Sequence, residues 1–263
     1  MMNSIFTIFL AVLVSSSPLH FFSSYQDSHE LSTMEVVDKI NQKVLSIPEM
    51  DNWQASVLAT LIEMDKNWEP KKKTIIEKLT TVRNKIRTEK ILSATEYDGE
   101  KTKDVTAKYI VEAAKFNNKN KSEAGNKGKR KGGRHRGMDL TRDELFPFGE
   151  NRRKDYEFDL LEETLEESQR VFVLETRSKQ KSSDYFEGKY YVHPETFDVL
   201  KAELRPAKYP GPLKLLEMDL DFERLPEGYL VIREAKVCIH VGLIIKNIRI
   251  ESEEIYSDYK VFD

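Results

Sequence analysis

The side chains with the clearest capacity for chemistry are four carboxylates at alternate positions, Glu217, Asp219, Asp221 and Glu223, in the run LEMDLDFER. On a strand, residues two apart point to the same side, so the four make one acidic row. Neighbours in that row stand about 7 Å apart, too far to share one ion without ligands from elsewhere. The row reads first as the solvated side of a strand and only second as a cation site. Five histidines, at 20, 29, 135, 193 and 240, are scattered, with none at metal-ligand spacing from another. His193 falls in a turn and His240 in a strand, where each reads as an ordinary solvated or hydrogen-bonded residue. The single cysteine, Cys238, lies in the apolar run VCIHVGLII, so a buried and inert thiol is expected, and an internal disulfide is excluded. There is no Gly-rich phosphate loop, no G-x-S-x-G elbow and no H-E-x-x-H pair. The expectation is a protein that is not an enzyme and needs no cofactor and no metal.

The elements that would position these residues are successive hairpins. In DYFEGKYYVHPETFDVLKAELRP, residues 184–206, the β-prone run Tyr185, Phe186, Tyr190, Tyr191 and Val192 is broken by His193-Pro194-Glu195-Thr196. Phe197, Val199, Leu200, Ala202 and Leu204 carry the predicted return strand. Proline fixes φ for a turn and donates no ladder hydrogen bond, which places the reversal at 194. The acidic row has an apolar complement, Leu216, Met218, Leu220 and Phe222, and is turned by Leu225-Pro226-Glu227-Gly228. This is the clearest period-two signal in the chain, apolar in and acidic out. Tyr229–Val241 and Leu243–Tyr256 are predicted as further strands, with Asp258–Phe262 trailing at the edge.

The first half reads in the same way. Ser32 or Thr33 caps a predicted helix to about Leu45, with Val36, Val37, Ile40, Val44 and Leu45 on one stripe and Pro48 as its stop. Strands are predicted at Trp53–Glu63, Lys73–Arg83 and Arg87–Tyr97, the last closed by Asp98-Gly99, with lysine, glutamate and arginine in the outward positions. In the first of them Trp53, Val57 and Leu61 lie on the wholly apolar side. Asp104 caps a helix from Val105 to about Phe116. A short helix over Asp139–Phe148 ends in an aromatic-proline knuckle, and strands follow at Tyr156–Leu161 and Arg170–Thr176.

Between these pieces lies NNKNKSEAGNKGKRKGGRHRG, residues 117–137, which is strongly positive and almost without apolar side chains. It reads as a flexible basic insertion. Its readings are a solvated spacer, a contact with an anionic membrane surface, and, last, nucleic acid. No aromatic interleaving or nucleic-acid module accompanies it, so no nucleic acid is expected as a partner. At the other extreme, Ile5–Val14 is apolar apart from Thr7 and is followed by Ser15-Ser16-Ser17-Pro18. Its length suits a secretory signal and is too short for a membrane span; the competing reading is a buried N-terminal element. Residues 1–24 are assigned as a signal peptide and 25–263 as one domain, exported and soluble.

The whole chain, 263 residues with 39% hydrophobic and 33% charged, has enough apolar content for a core and enough charge to wet one sheet face. The net charge of −3 is near neutral and directs it to no particular partner class. The expected fold is mainly β (α+β). A curved antiparallel sheet is expected, with amphipathic helices covering its concave apolar face. Such a face can enclose an apolar ligand. Trp53, Val57, Leu61, Leu216, Met218, Leu220 and Phe222 are its candidate lining.

Three segments carry a family resemblance: GKYYVHPETFDVLKAE, then LKLLEMDLDFERLPEGYLVIREAKVCIHVGL, then IRIESEEIYSDYKVF. With the apolar leader, the amphipathic helix and the strand from Trp53, they resemble the bacterial outer-membrane lipoprotein-sorting proteins, the LolA-like superfamily. The resemblance implies an unclosed barrel plugged by helices. It also implies a periplasmic location and lipid acyl chains or lipoproteins as ligands of a carrier; separately, a monomer is expected. The basic insertion departs from the short loops of that family. An envelope sensor or interaction module regulating a membrane partner through the same fold is the alternative, and an enzyme comes third.

Overall fold

The computed structural model describes residues 31–125, 142–166, 169–243 and 247–262. The apolar leader and the most basic part of the insertion therefore lie outside the described residues. Every element below belongs to the unit Ser32–Asp263.

Helix α1 (Thr33–Ser46) starts on a capping box. The Ser32 hydroxyl accepts the Glu35 N–H at 3.3 Å, and the Glu35 carboxylate accepts the Ser32 N–H at 2.8 Å. Its apolar stripe, Val36, Val37, Ile40 and Val44, is buried. The strands are β1 (Trp53–Met64), β2 (Pro70–Arg83), β3 (Ile86–Asp98), β4 (Lys101–Asp104), β5 (Tyr156–Glu166), β6 (Gln169–Ser178), β7 (Phe186–Val192), β8 (Val199–Pro206), β9 (Leu213–Arg224), β10 (Leu230–Gly242) and β11 (Asn247–Val261). Helix α2 (Thr106–Gly125) and the single turns α3 (Arg142–Leu145) and α4 (Glu150–Arg153) lie between β4 and β5.

All eleven strands form one antiparallel sheet in the order β4-β3-β2-β1-β11-β10-β9-β8-β7-β6-β5. It consists of two meanders, β1–β4 and β5–β11, joined where the first strand pairs with the last, Ala59 opposite Glu254. The sheet is not closed: β4 and β5 are its edges. β4 is four exposed residues, KTKD, a short and charged edge that discourages further pairing.

Four expectations need correction. The last strand is not at an edge. It runs to Val261 at the centre of the sheet, with Asp258 at φ +51 where its register against β1 shifts. Phe197 does not open the return strand. It sits at φ +57 within the turn, its N–H donates to the His193 carbonyl, and its ring lies under the Lys39 ammonium at 5.0 Å. The basic insertion is not a loop from residue 117, since α2 continues to Gly125. Asn117 exchanges two hydrogen bonds of 2.8 Å with the Glu89 backbone, and Asn120 donates to the Arg87 carbonyl at 2.9 Å. These tertiary bonds to β3 outweigh the poor helix propensity of asparagine. Finally, β4 and α4 were not foreseen, because each is four residues of polar sequence with no periodicity to read.

The core occupies one face. Following partners from strand to strand, one row reads Ala94, Ile76, Ala59, Glu254, Ala235, Leu220, Ala202, Tyr190, Leu174, Leu160. Alanine alternates with larger side chains along most of it, which lets covering groups interdigitate. Phe146 and Phe148, the predicted aromatic-proline knuckle, press onto this face with ring centroids 5.4 Å from Phe222 and 5.0 Å from Tyr190 respectively. Tyr190 is fully buried, and its hydroxyl donates to the Leu145 carbonyl at 2.6 Å. That bond satisfies the one polar atom such a burial would otherwise strand. At the opposite side, Val105 and Tyr109 of the α2 segment pack with Ala59, Ile76 and Ala94. Each fully buried aliphatic or aromatic side chain contributes about 1.5–3 kcal/mol.

Candidate functional site

All seven residues expected to line an apolar site fall on the helix-covered face, in two groups. Trp53, Val57 and Leu61 are on β1, and Leu216, Met218, Leu220 and Phe222 are on β9, with β11 and β10 between. Val57, Met218, Leu220 and Phe222 are buried, whereas Trp53, Leu61 and Leu216 are half-buried. The two groups are bridged by rows of partners. Leu61 leads through Ser252 and Val237 to Met218, and beside it Ile250, Ile239 and Leu216 make a second row.

Coverage of this face is uneven. α1 and the segment 142–153 cover the β5–β9 side: Leu160 N–H donates to Thr33 Oγ1 at 3.4 Å, and Arg142 donates to the Ile47 carbonyl at 2.9 Å. α2 covers the β1–β3 side. Ile250 and Ile239, on the intervening β11 and β10, stay half-buried, as do Leu216 on β9 and Leu61 on β1, which packs against the α2 cluster. They form an apolar strip on the helix-bearing face, its β1 end packed against the α2 cluster.

Next to the strip is a polar cluster that sequence reading missed. Lys78 is buried, its ammonium 2.8 Å from Glu254 Oε1 and 3.0 Å from Glu89 Oε1. Arg87 donates to the same Glu89 oxygen at 2.9 Å, and the Tyr256 hydroxyl donates to Glu254 Oε2 at 2.5 Å. Burial by itself would raise the Glu254 carboxyl. The Lys78 charge and hydrogen bond, with Tyr256 and Arg87, outweigh it and hold the group below the ordinary glutamate range. Burial pushes the Tyr256 and Tyr259 phenols far up, so both are neutral donors, and Tyr259 donates to the Ile232 carbonyl at 2.6 Å. The cluster was read as solvated because it is charged. Strand parity was the available signal, since Lys78 lies two residues from Ile76 and so shares its face.

The acidic row faces the other way. Glu217, Asp219 and Glu223 are exposed and Asp221 is half-buried, on the face opposite Met218 and Leu220. Among the described residues no group of three or more His, Cys, Asp or Glu is placed to hold a metal ion. Cys238 is half-buried, and burial, then Glu251 and Glu217, raise its thiol. His193 Nδ1 accepts the N–H groups of Glu195 and Thr196, both at 3.2 Å, and so closes its own turn. Among the described residues no helix is long and apolar enough to cross a membrane.

No family model matches the chain, and no curated protein matches it. Among solved structures it aligns with an outer-membrane lipoprotein-sorting protein domain from Vibrio parahaemolyticus at 13% identity and TM-score 0.39, over 87% of this chain and 92% of that one. It aligns with a LolA superfamily protein from Nitrosomonas europaea at 14% identity and TM-score 0.38, over 89% and 94%. A DUF1329 family protein from Desulfovibrio piger aligns at 11% identity and TM-score 0.37, over 87% and 91%. At such values the likeness assigns no family, residue, ligand or partner to this chain.

Proposed function

We propose that the protein is an exported binding protein that holds lipid acyl chains, free or as part of a lipoprotein, in the periplasm. The observation that supports this reading is the half-buried strip Leu61, Ile250, Ile239 and Leu216 on the helix-covered face. An ordinary core would seal these side chains. Here Ile250, Ile239 and Leu216 stay half-buried beside the α2 cluster that holds Leu61, so a chain-like apolar ligand can cover them without opening the buried rows around Leu220 and Tyr190. Covering apolar surface contributes about 25 cal/mol per Å². The neutral phenols of Tyr256 and Tyr259 and the paired charges of Lys78 and Glu254 lie on the same face, where a ligand's polar end meets hydrogen-bonding groups.

Export rests on the apolar run Ile5–Val14, with residues 1–24 as the segment removed. The test of the binding reading is titration with a fluorescent fatty-acid probe. The wild-type protein should bind it, and replacing Ile239 and Leu216 together by Gln should abolish binding with little change in thermal stability. Equal binding by both proteins would refute the reading. N-terminal sequencing of protein recovered from its native envelope tests export; an intact Met1 would contradict it.

A further inference from the structure

The polar face of the sheet carries a trough of about 830 Å³ on the side away from the helices. It is lined by side chains from seven neighbouring strands, β1 through β11, β10, β9, β8 and β7 to β6. A strongly twisted sheet is saddle-shaped, so each face is hollow along one diagonal, and a trough here is compatible with helices on the other side. One row across it runs Glu253, Lys236, Asp219, Glu203, Lys189, Glu175. The next runs Glu251, Cys238, Glu217.

The charges in this trough are not balanced. Lys236 stands opposite Asp219 in register, yet its ammonium is held by Glu234 at 2.5 Å and Glu253 at 3.5 Å. Asp219 instead stands opposite Glu203, and like charges facing each other across strands are unfavourable. Partial desolvation in the trough and then Glu203, with Glu217 and Asp221, hold the carboxyl of this surface-exposed residue above the ordinary aspartate range, against the pull of Lys201. Arg177 is taken by Glu175 and Asp159, and Arg205 by Glu187. Among the described residues, Glu217, Asp219 and Glu251 therefore enter the trough without an ion pair, facing one such cation, Lys189. Beside the trough the surface turns apolar. Ile62 lines its end, and Leu58 and Ile255, direct partners on β1 and β11, are each 42% exposed. Acid-excess hollow and apolar shoulder are continuous on one face.

We propose that this face is a docking site for a partner protein, through a segment that carries lysine or arginine together with apolar side chains. The cations enter the trough between Asp219, Glu217 and Glu251, and the apolar side chains rest on Leu58 and Ile255. A small cation fits poorly: Glu217 and Asp219 are about 7 Å apart along β9, Glu251 is on β11 with β10 between, and no small cation covers the shoulder. A surface of this kind gives salt-dependent association, with fast encounter set by charge and retention set by the apolar contact. It is separate from the acyl-binding strip, which lies on the opposite face.

The test uses the full chain and a labelled peptide of alternating lysine and leucine, followed by fluorescence anisotropy at several salt concentrations. The triple variant Glu217→Gln, Asp219→Asn, Glu251→Gln should weaken binding about tenfold or more and flatten its salt dependence. The control triple Glu69→Gln, Glu195→Gln, Glu227→Gln removes the same charge from turns elsewhere and should change affinity less than about twofold. Leu58→Ser with Ile255→Ser should weaken binding several-fold while leaving the salt slope unchanged. Equal effects of the two triples would overturn the proposal, as would spermidine binding as tightly as the peptide. A self-association in sedimentation that the site triple abolishes would make a second copy the occupant and overturn it too.

Discussion

The Lys78 ammonium lies 2.8 Å from Glu254 Oε1, with strand β1 running between their two strands. The bond therefore spans the seam at which the first and last strands join the two meanders. Both side chains are largely withdrawn from water, 9% and 14% exposed. Removing one partner leaves the other charge buried and unmatched, which costs about 3–5 kcal/mol. Lys78→Met should lose about that much in urea unfolding, and the double variant Lys78→Met, Glu254→Leu should lose clearly less than the sum of the two single changes. Additive losses would show that the pair does not act as a unit.

The pH dependence follows from the same pair. The Glu254 carboxyl is lower in the folded protein than the ordinary value, so its contribution is fully present above about pH 4.3 and is lost as the pH falls through the folded value. Unfolding free energy should therefore decline in acid for the wild type and decline less for Glu254→Gln. Parallel acid limbs for the two proteins would contradict the assignment.

Asp219 has the opposite sign. Its carboxyl is raised, so the charged form is disfavoured in the fold, and the resulting deficit is present at neutral pH and absent in acid. Asp219→Asn should stabilise the protein at pH 7 by a few tenths of a kcal/mol, the scale of an exposed charge, and by nothing measurable below about pH 3. Thermal melts at the two pH values decide this, and a gain that persists in acid would point to a different cause.

How much of this was legible in the sequence differs by element. The alternation of Leu216, Met218, Leu220 and Phe222 with the acidic row gave the face of β9 outright, because a period of two leaves no other register. The capping box of α1 and its apolar stripe were equally local signals. Non-local features were hidden. Nothing in residues 247–261 marks their strand as central, since its pairing with β1 joins residues about 200 positions apart. The helical state of 117–125 depends on Asn117 and Asn120 reaching β3, which no local propensity contains. Of the candidate lining, the apolar type and face were readable. The distinction between sealed Leu220 and half-open Leu216 depends on where the helices attach, and the sequence does not encode that locally.

Gly188 offers a sharp local check. It lies at φ +153, and a Cβ there would stand 1.9 Å from the Glu203 carbonyl oxygen. Gly188→Ala has to push β8 away from β7 and should cost about 1–3 kcal/mol, as other overpacked sites do. A melting temperature unchanged by the substitution would show that β7 and β8 do not approach this closely.

The distinction between core and binding strip is tested by truncation. Leu220 is 3% exposed, so Leu220→Ala should cost about 2–5 kcal/mol and leave probe affinity unchanged in the protein that remains folded. Leu216→Ala should cost under about 1 kcal/mol and weaken the probe several-fold. The reverse pattern would make Leu216 ordinary core.

The most direct measurement is native mass spectrometry of the protein purified without detergent from an envelope fraction. The account predicts a species heavier than the bare chain that releases an acyl-chain lipid on activation. It also predicts that the variant with Ile239→Gln and Leu216→Gln, folded to the same melting temperature, flies at its bare mass. A wild-type protein at bare mass, or a variant that retains the same lipid, would contradict the central claim.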